Sequence, residues 1–560
     1  MRVSLVNCLV TFWRCLICLL VCAASMRIPA AHAAELADNG KRIYVALDLR
    51  SSSAAGAWRF VSGRWRVGEG VIEQLDERKV GAVALLDDIE CSDFEYRMRF
   101  LPQRGPGVRA AGPVFRVQGP RTFYYVHFDA LSRKAMLVMS TPDQMWNEIR
   151  RVTDVPLRLG EWNTARIASD GPAIRVYLNG KLILEQLDDT FLGGGFGLRT
   201  SQAHARFKDL VIEGFRCTQS ETRSYQPPPF VVVCDDAGAG GDEEFPDVAR
   251  LSNGELICVF YAGYAHGSRP NIRLPQGGRI AFVKSRDGGR TWSKARTLFD
   301  SPFDDRDPSV VEIAPGKLLC NFFSYHYPDH AAGRYATAET FVISSEDYGE
   351  TWEAEPRRVP SPFDGSCSTS SPVVKLPGGE LVMPVYGYMR DRPYHYIPAV
   401  VRSKDLGRTW GDPACIVNDP EEPLPEPALA RLADGRLVCH MRPVMMQCYS
   451  SDGGRTWTRP ERLPFRGDAP YLLASSGGVL LSAFRHPGTS IALSRDAGRT
   501  WHGPQRLDIC LGAYPSLAEM LDGTILCVYY TGGHRSDIRA IRFRPAGNRI
   551  EIVSWDRASQ

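Results

Sequence analysis

The sequence predicts an all-β chain in which an antiparallel β-sandwich precedes a six-bladed β-propeller. Three observations predict it. The phrase Ser-x-Asp-x-Gly-x-Thr-Trp occurs five times, at residues 285–292, 345–352, 403–410, 450–457 and 494–501. A two-residue turn between apolar runs occurs six times, at Asn253-Gly254, Pro315-Gly316, Gly378-Gly379, Asp434-Gly435, Gly477-Gly478 and Asp522-Gly523. Ahead of these repeats lie alternating strands and a hairpin signal, and no long helical period follows the N-terminal segment. Units that recur every several tens of residues cannot each bury an apolar face alone, so they stack.

The N-terminal segment comes first. Arg2 and Arg14 flank an apolar stretch running to about Ala24, followed by the small-x-small pattern Ala31-His32-Ala33. Residues 1–33 are expected to be a secretory signal cut after Ala33, leaving a secreted or periplasmic chain. Arg14 shortens the apolar run below a spanning length, so no membrane span is expected after cleavage. Cleavage removes Arg2, Arg14 and Arg27 but no acidic residue, and the formal charge falls from +3 to 0. A neutral chain without a basic run offers no electrostatic footprint for nucleic acid.

Cysteines point away from metal chemistry. Cys258, Cys320, Cys439 and Cys527 each stand four residues after a turn glycine. Equivalent strands of different repeats do not bring such residues together, so they are read as small buried apolar groups. Among the eleven cysteines left after cleavage, no Cys-x-x-Cys or His/Cys cluster implies a metal, and no cofactor is expected.

At 560 residues the chain exceeds one hydrophobic core. Residues 41–215 read as the sandwich. Residues 94–100 alternate strictly between large apolar and polar side chains, as a half-buried strand does. Residues 174–184 read as two strands around Asn179-Gly180, a strong hairpin signal. This stretch resembles the concanavalin-like and laminin-G-like jelly rolls that accompany glycan-processing enzymes, which implies either a carbohydrate-binding module or a structural spacer. Residues 216–229 end in Pro227-Pro228-Pro229 and read as a stiff linker.

Residues 230–560 read as the propeller. Eight residues before the turn glycine stands Pro246, Pro308, Pro427, Pro470 or Pro515, while Pro372 is one residue out of step. Proline is tolerated at the first residue of a strand because that amide need not join the ladder. Each unit is therefore a strand, a tight turn, a second strand, a variable loop and, in all but the last, the Asp-containing turn. Six such units arranged radially form a propeller, with residues 230–233 completing the last blade. In the repeated phrase the Asp and Ser satisfy backbone groups in a turn, Gly supplies the unusual dihedral, and Trp packs beneath.

Radial packing makes the starts of the inner strands converge on one funnel. The residues there are Glu244-Phe245, Arg306-Asp307, Ser370-Ser371, Pro425-Glu426, Asp468-Ala469 and Ala513-Tyr514. Seven residues after each turn glycine stand Tyr261, Phe323, Tyr386, Arg442, Arg485 and Tyr530. Blades one to three have the longer loops, carrying His266, His326, Asp329 and His330, which are expected to wall one side.

With five such turns, residues 230–545 resemble the sialidase superfamily, the Asp-box or BNR-repeat proteins. The resemblance implies a glycoside hydrolase with a carbohydrate substrate. It further implies three arginines clamping the substrate carboxylate, a Tyr–Glu pair as nucleophile and an Asp as acid/base. Arg442 and Arg485 match two of the arginines, Glu426 the Glu and Tyr514 the Tyr. A neutral phenol activated by a carboxylate avoids the repulsion that an anionic sugar would impose on a carboxylate nucleophile. Planar guanidinium groups suit a two-pronged carboxylate contact.

Two positions depart from that pattern. Where the resemblance implies the first arginine, this chain has Glu244. The loop that would carry the acid, residues 264–278, contains no acidic residue, and His266 is its only group that titrates near neutrality. Asp247 and Asp307 are alternative acids, and Arg306 an alternative third cation. Glu244 would repel an anion or pair with an arginine. Three functions stay open: a hydrolase of terminal glycosidic bonds, a carbohydrate-binding protein without turnover, and a polysaccharide lyase using His266 and a Tyr.

Overall fold

The computed structural model describes residues 32–35, 42–51, 53–142, 145–188, 190–217, 227–272, 274–328, 336–486, 488–510, 512–532 and 536–555. Residues 1–31 of the expected signal segment, most of the linker, and Asp329 and His330 lie outside the described residues, while the last two residues of that segment fall in the strand His32–Glu35. Among the described residues no helix is long and apolar enough to cross a membrane. The chain divides into two compact units, Met1–Leu137 with Arg150–Ser224, and Val138–Ile149 with Tyr225–Gln560.

The first unit is the predicted antiparallel β-sandwich. Its spine is the 21-residue strand Ala82–Pro102. The first part of this strand pairs with Gly193–Ser201, and its second part with Asn163–Asp170 on one edge and Ala205–Arg216 on the other. Phe94, Tyr96, Met98 and Phe100 are buried while Arg97 between them is exposed, so the alternation predicted at 94–100 holds. Strands Ala173–Leu178 and Lys181–Leu187 meet at Asn179 (φ 49°) and Gly180 (φ 82°). Left-handed dihedrals at both central residues match the strands' twist, as predicted from Asn-Gly.

The second unit is a ring of six antiparallel sheets. Blade 1 runs outward through Asp242–Arg250, Leu256–Gly263, Arg279–Ser285 and Arg296–Phe299. The innermost strands of blades 2, 4, 5 and 6 are Asp304–Ala314, Ala428–Arg431, Asp468–Ala474 and Ala513–Glu519. In blade 3, where Pro372 is out of step, the inner strand is broken into Ser366–Ser368 and Val374–Lys375. The ring closes as predicted: Val231–Cys234 pairs with Ile538–Ala546, the third strand of blade 6. Arg549–Val553 shares that outer edge, which no repeat in the sequence foretold.

The repeated turns are staples. In the third copy Ser403 Oγ donates to Asp405 (2.8 Å), and Asp405 accepts from the Thr409 amide (2.9 Å) and hydroxyl (2.6 Å). Trp410 Nε1 donates to the Gly407 carbonyl at 3.1 Å. The Thr409 hydrogen bonds hold the Asp405 carboxyl down at about 2. That carboxylate is consumed by its own turn, as are those of the other copies. All four repeated cysteines are fully buried on second strands with free thiols.

Proline shapes the inner rim. The residue before it is left-handed in five blades: Phe245 (φ 52°), Asp307 (48°), Glu426 (57°), Ala469 (49°) and Tyr514 (39°). Proline disfavours the right-handed helical region for its predecessor and lacks an amide for the ladder. The ladder accordingly slips in four of these blades, between Glu244/Asp247, Arg306/Ser309, Asp468/Tyr471 and Ala513/Ser516. Such a bulge re-aims side chains at a sheet edge. Left-handed non-glycine residues cost on the order of 1 kcal/mol or more and cluster at functional sites.

Candidate active site

These bulges converge on the axis, where one cavity is lined by Phe245, Asp307, Ser370, Ala469 and Tyr514 from five different blades. Beside it the Tyr514 hydroxyl donates to Glu426 Oε1 at 2.7 Å, across 88 residues of sequence. Arg442 Nη2 donates to the same oxygen at 2.6 Å. Burial, followed by the charges of Glu426 and Asp307, pushes the Tyr514 phenol well above its ordinary value, so at rest it is neutral. Burial pulls Arg442 down, but Glu426 and Tyr514 outweigh it and the guanidinium stays charged. Glu426 Oε2 and Arg442 Nε are buried with no hydrogen-bond partner among the described residues. A buried polar atom left without a partner costs free energy unless water or a ligand reaches it.

Arg485 lies directly across the ladder from Asp468. Its Nη1 reaches the Gly512 carbonyl only at 3.4 Å, so most of the guanidinium fork is uncommitted among the described residues. Arg306 enters from blade 2, with its guanidinium 5.1 Å from the Phe245 ring centre and 3.6 Å from Asp304. Asp307 follows it. Burial raises the Asp307 carboxyl, Arg306 pulls it down and Glu426 pushes it up, leaving it at about 7. Its Oδ1 has no hydrogen-bond partner among the described residues.

Among the described residues Glu244 forms no ion pair with an arginine, though its charge acts on Arg306 through space. Its buried carboxylate meets His266 Nδ1 at 2.6 Å instead, and the His266 side chain is 68% exposed. Phe245 packs against both sides of the site, its ring 4.9 Å from Tyr514 and 5.2 Å from His266 between centres.

Asp247 is buried one step further along its strand. Its oxygens accept from the Val310 amide (2.7 Å) and the Ser516 hydroxyl (2.6 Å), tying blade 1 to blades 2 and 6. Burial lifts it to about 6 against those hydrogen bonds. It therefore serves as a strut with both oxygens engaged. His326 packs on Phe303 (4.2 Å) and lies 3.8 Å from Glu339, lining a separate cavity rather than the axial one.

Sequence reasoning missed Asp304. It is fully buried and accepts from Tyr261 (3.0 Å), Tyr327 (2.8 Å) and the Ser268 amide (3.3 Å), anchoring the His266 loop to blade 2. Its position two residues before Arg306, on the same face of the strand, was the available signal. Tyr386, whose hydroxyl is 3.3 Å from Ser370, joins the aromatic wall.

A ring of Asp-box blades with a Tyr–Glu–Arg cluster at its axis defines a sialidase-like propeller class. A family model described as a BNR repeat-like domain matches residues 306–527. One described as a 3-keto-alpha-glucoside-1,2-lyase-like domain matches residues 49–213. The propeller thus carries a BNR repeat-like domain over residues 306–527, and the N-terminal sandwich is similar over residues 49–213 to the second family. The chain is 23% identical over 239 residues to a sialidase of Paraclostridium sordellii, covering 38% of this chain. That match spans 56% of the relative's length, little more than half. Among solved structures, a Dyadobacter fermentans protein of unknown function is 20% identical, with 59% of this chain and 99% of that chain covered, at a TM-score of 0.49. The leech intramolecular trans-sialidase is 14% identical, with 83% and 94% covered, at a TM-score of 0.43.

Proposed function

We propose that the axial funnel is the active site of a glycoside hydrolase acting on terminal sugars of glycans outside the cytoplasm. The observation that carries this reading is the single Glu426 oxygen shared by the Tyr514 hydroxyl and Arg442 at 2.7 and 2.6 Å. Tyr514 attacks the anomeric carbon as Glu426 takes its proton, and Arg442 steadies the charge passing between them. Arg442 and Arg485 hold an electron-rich substituent of the sugar, with Arg306 as the third cation. The leaving oxygen takes a proton from His266 or Asp307, whose exposure and whose carboxyl at about 7 respectively suit the task. Relatedness to the Paraclostridium sialidase supports the class of reaction.

The replacement of the implied first arginine by Glu244 favours a sugar other than ordinary sialic acid. It also keeps a second reading in play, a propeller that binds glycans without turnover. Purified protein tested on a panel of 4-nitrophenyl and 4-methylumbelliferyl glycosides, acidic and neutral, separates the two. Turnover abolished in both Tyr514→Phe and Glu426→Gln supports the hydrolase. Binding to a glycan array without release from any glycoside supports the second reading, and an unsaturated product points to a lyase.

A further inference from the structure

We propose that Glu244 and His266 form the proton-transfer pair of this funnel, with His266 as the acid/base and Glu244 as the residue that positions it. This inference rests on the hydrolase reading and names the group that serves the leaving side.

The two positions at which the chain departs from the resemblance are in contact. A carboxylate stands where a cation is implied and an imidazole where a carboxylate is implied, 2.6 Å apart. The pair has the same parts with the charges exchanged, which accounts for both departures with one cause.

The geometry is that of an oriented base. Glu244 is held at the inner rim, cross-strand from Tyr261 and next to the left-handed Phe245, with its side chain 3% exposed. A carboxylate can only accept, so His266 Nδ1 carries the proton in that bond and Nε2 is the nitrogen left to work. Fixing one ring nitrogen by a carboxylate sets both tautomer and orientation. The open end of His266 faces solvent, where the departing part of a terminally cleaved glycan must go. Asp307 is the rival donor, yet it is buried, 5% exposed against 68% for the His266 side chain, and it feels Arg306, Glu426 and His266 through space. Asp304 and Asp247 have their oxygens engaged. Phe245 sets the spacing, since His266 and Tyr514 pack on the same ring.

The groups that face His266 are few. Glu244 comes from its own blade, and Asp307 from blade 2 acts on it through space. Arg306 Nη1 and the Tyr327 hydroxyl, also from blade 2, crowd the neighbouring Gly267.

The steps balance. Tyr514 Oη bonds to the anomeric carbon, the bond to the leaving oxygen breaks, that oxygen takes the Nε2 proton, and the phenolic proton passes to Glu426. Water then attacks the anomeric carbon and gives its proton to the neutral His266, while the departing phenoxide recovers its proton from Glu426.

The test uses an aryl glycoside that the wild-type protein hydrolyses and the methyl glycoside of the same sugar. A nitrophenolate leaves without protonation, whereas methoxide does not. In His266→Gln the methyl glycoside is expected to lose a hundredfold or more in kcat/KM, within the ~10²–10⁴ range of general acids. The nitrophenyl glycoside is expected to lose far less at the bond-breaking step, and azide is expected to restore its turnover with a glycosyl azide product. Glu244→Gln keeps an acceptor but removes the charge, so the alkaline limb of kcat/KM is expected to move to lower pH. Equal losses on both substrates without azide rescue, or no loss on either, overturn the pair while leaving the hydrolase reading intact. Absence of turnover by the wild-type protein on every glycoside overturns both.

Discussion

Asp307→Asn is expected to stabilise the propeller in alkali and to leave it unchanged in acid. Asp307 is 5% exposed and sits in a left-handed bulge at the rim of the axial cavity. Its carboxyl lies at about 7 where an ordinary aspartate lies at 3.8, because burial and the Glu426 charge disfavour the anion more than Arg306 favours it. The sign follows from which state holds the proton. A folded pKa raised above the unfolded one leaves stability undiminished below the ordinary value, and that stability is lost as pH climbs through about 7. The displacement is about three pH units at ~1.4 kcal/mol each, so the ionised form costs about 4 kcal/mol at most. Asparagine has the shape of the protonated acid and cannot ionise. Thermal unfolding of wild type and variant between pH 4 and pH 9 reads the difference directly. The two Tm values are expected to coincide near pH 4 and to separate by several degrees by pH 8, with the variant higher. Coincident Tm values at every pH, or a variant less stable in alkali, would refute the argument that Asp307 is strained by its own charge.

Further outcomes follow from the same contacts. Tyr514→Phe and Glu426→Gln are each expected to lower kcat by at least a hundredfold with little change in Tm, read by steady-state kinetics and differential scanning fluorimetry. Asp247→Asn turns an amide donor toward the Val310 amide or the Ser516 hydroxyl and is expected to lose about 1–3 kcal/mol of stability in chemical unfolding, with kcat of the folded fraction retained. Loss of kcat instead would return Asp247 to the list of acids. Phe245→Ala removes the ring shared by Tyr514, Tyr530 and His266 and is expected to destabilise by about 3–5 kcal/mol. Val233→Asp, in the closing strand and 4% exposed, is expected to open the ring, seen as proteolysis at the blade 6 edge and a fall in Tm.

How much was legible divides along physical lines. The Asp-containing turns, the Asn179-Gly180 hairpin and the rim prolines all depend on residues within about ten positions of one another. Their geometry follows from local dihedral preference. The turns and the hairpin are found where the sequence placed them, whereas Pro246, Pro308, Pro470 and Pro515 lie inside the inner strands, at bulges, rather than at the first strand residue. The ring closure by Val231–Cys234 was foreseen from a missing strand, but Arg549–Val553 was not, since an outer edge strand carries no repeat. The left-handed residues before proline were also invisible, because an inner-rim bulge arises from the fit of two strands.

The sequence by itself determined six units, their order and most of the residues that reach the rim, Asp304 being the exception. The tertiary structure decided which of those residues meet. Glu244 finds His266 rather than an arginine, Arg442 and Tyr514 share one oxygen of Glu426, and Asp247 is turned into a strut between blades. The reason is one of range. Turn and strand patterns are set by neighbours along the backbone, whereas charge pairing at the axis is set by the angle at which six separate sheets pack, to which no single stretch of sequence has access.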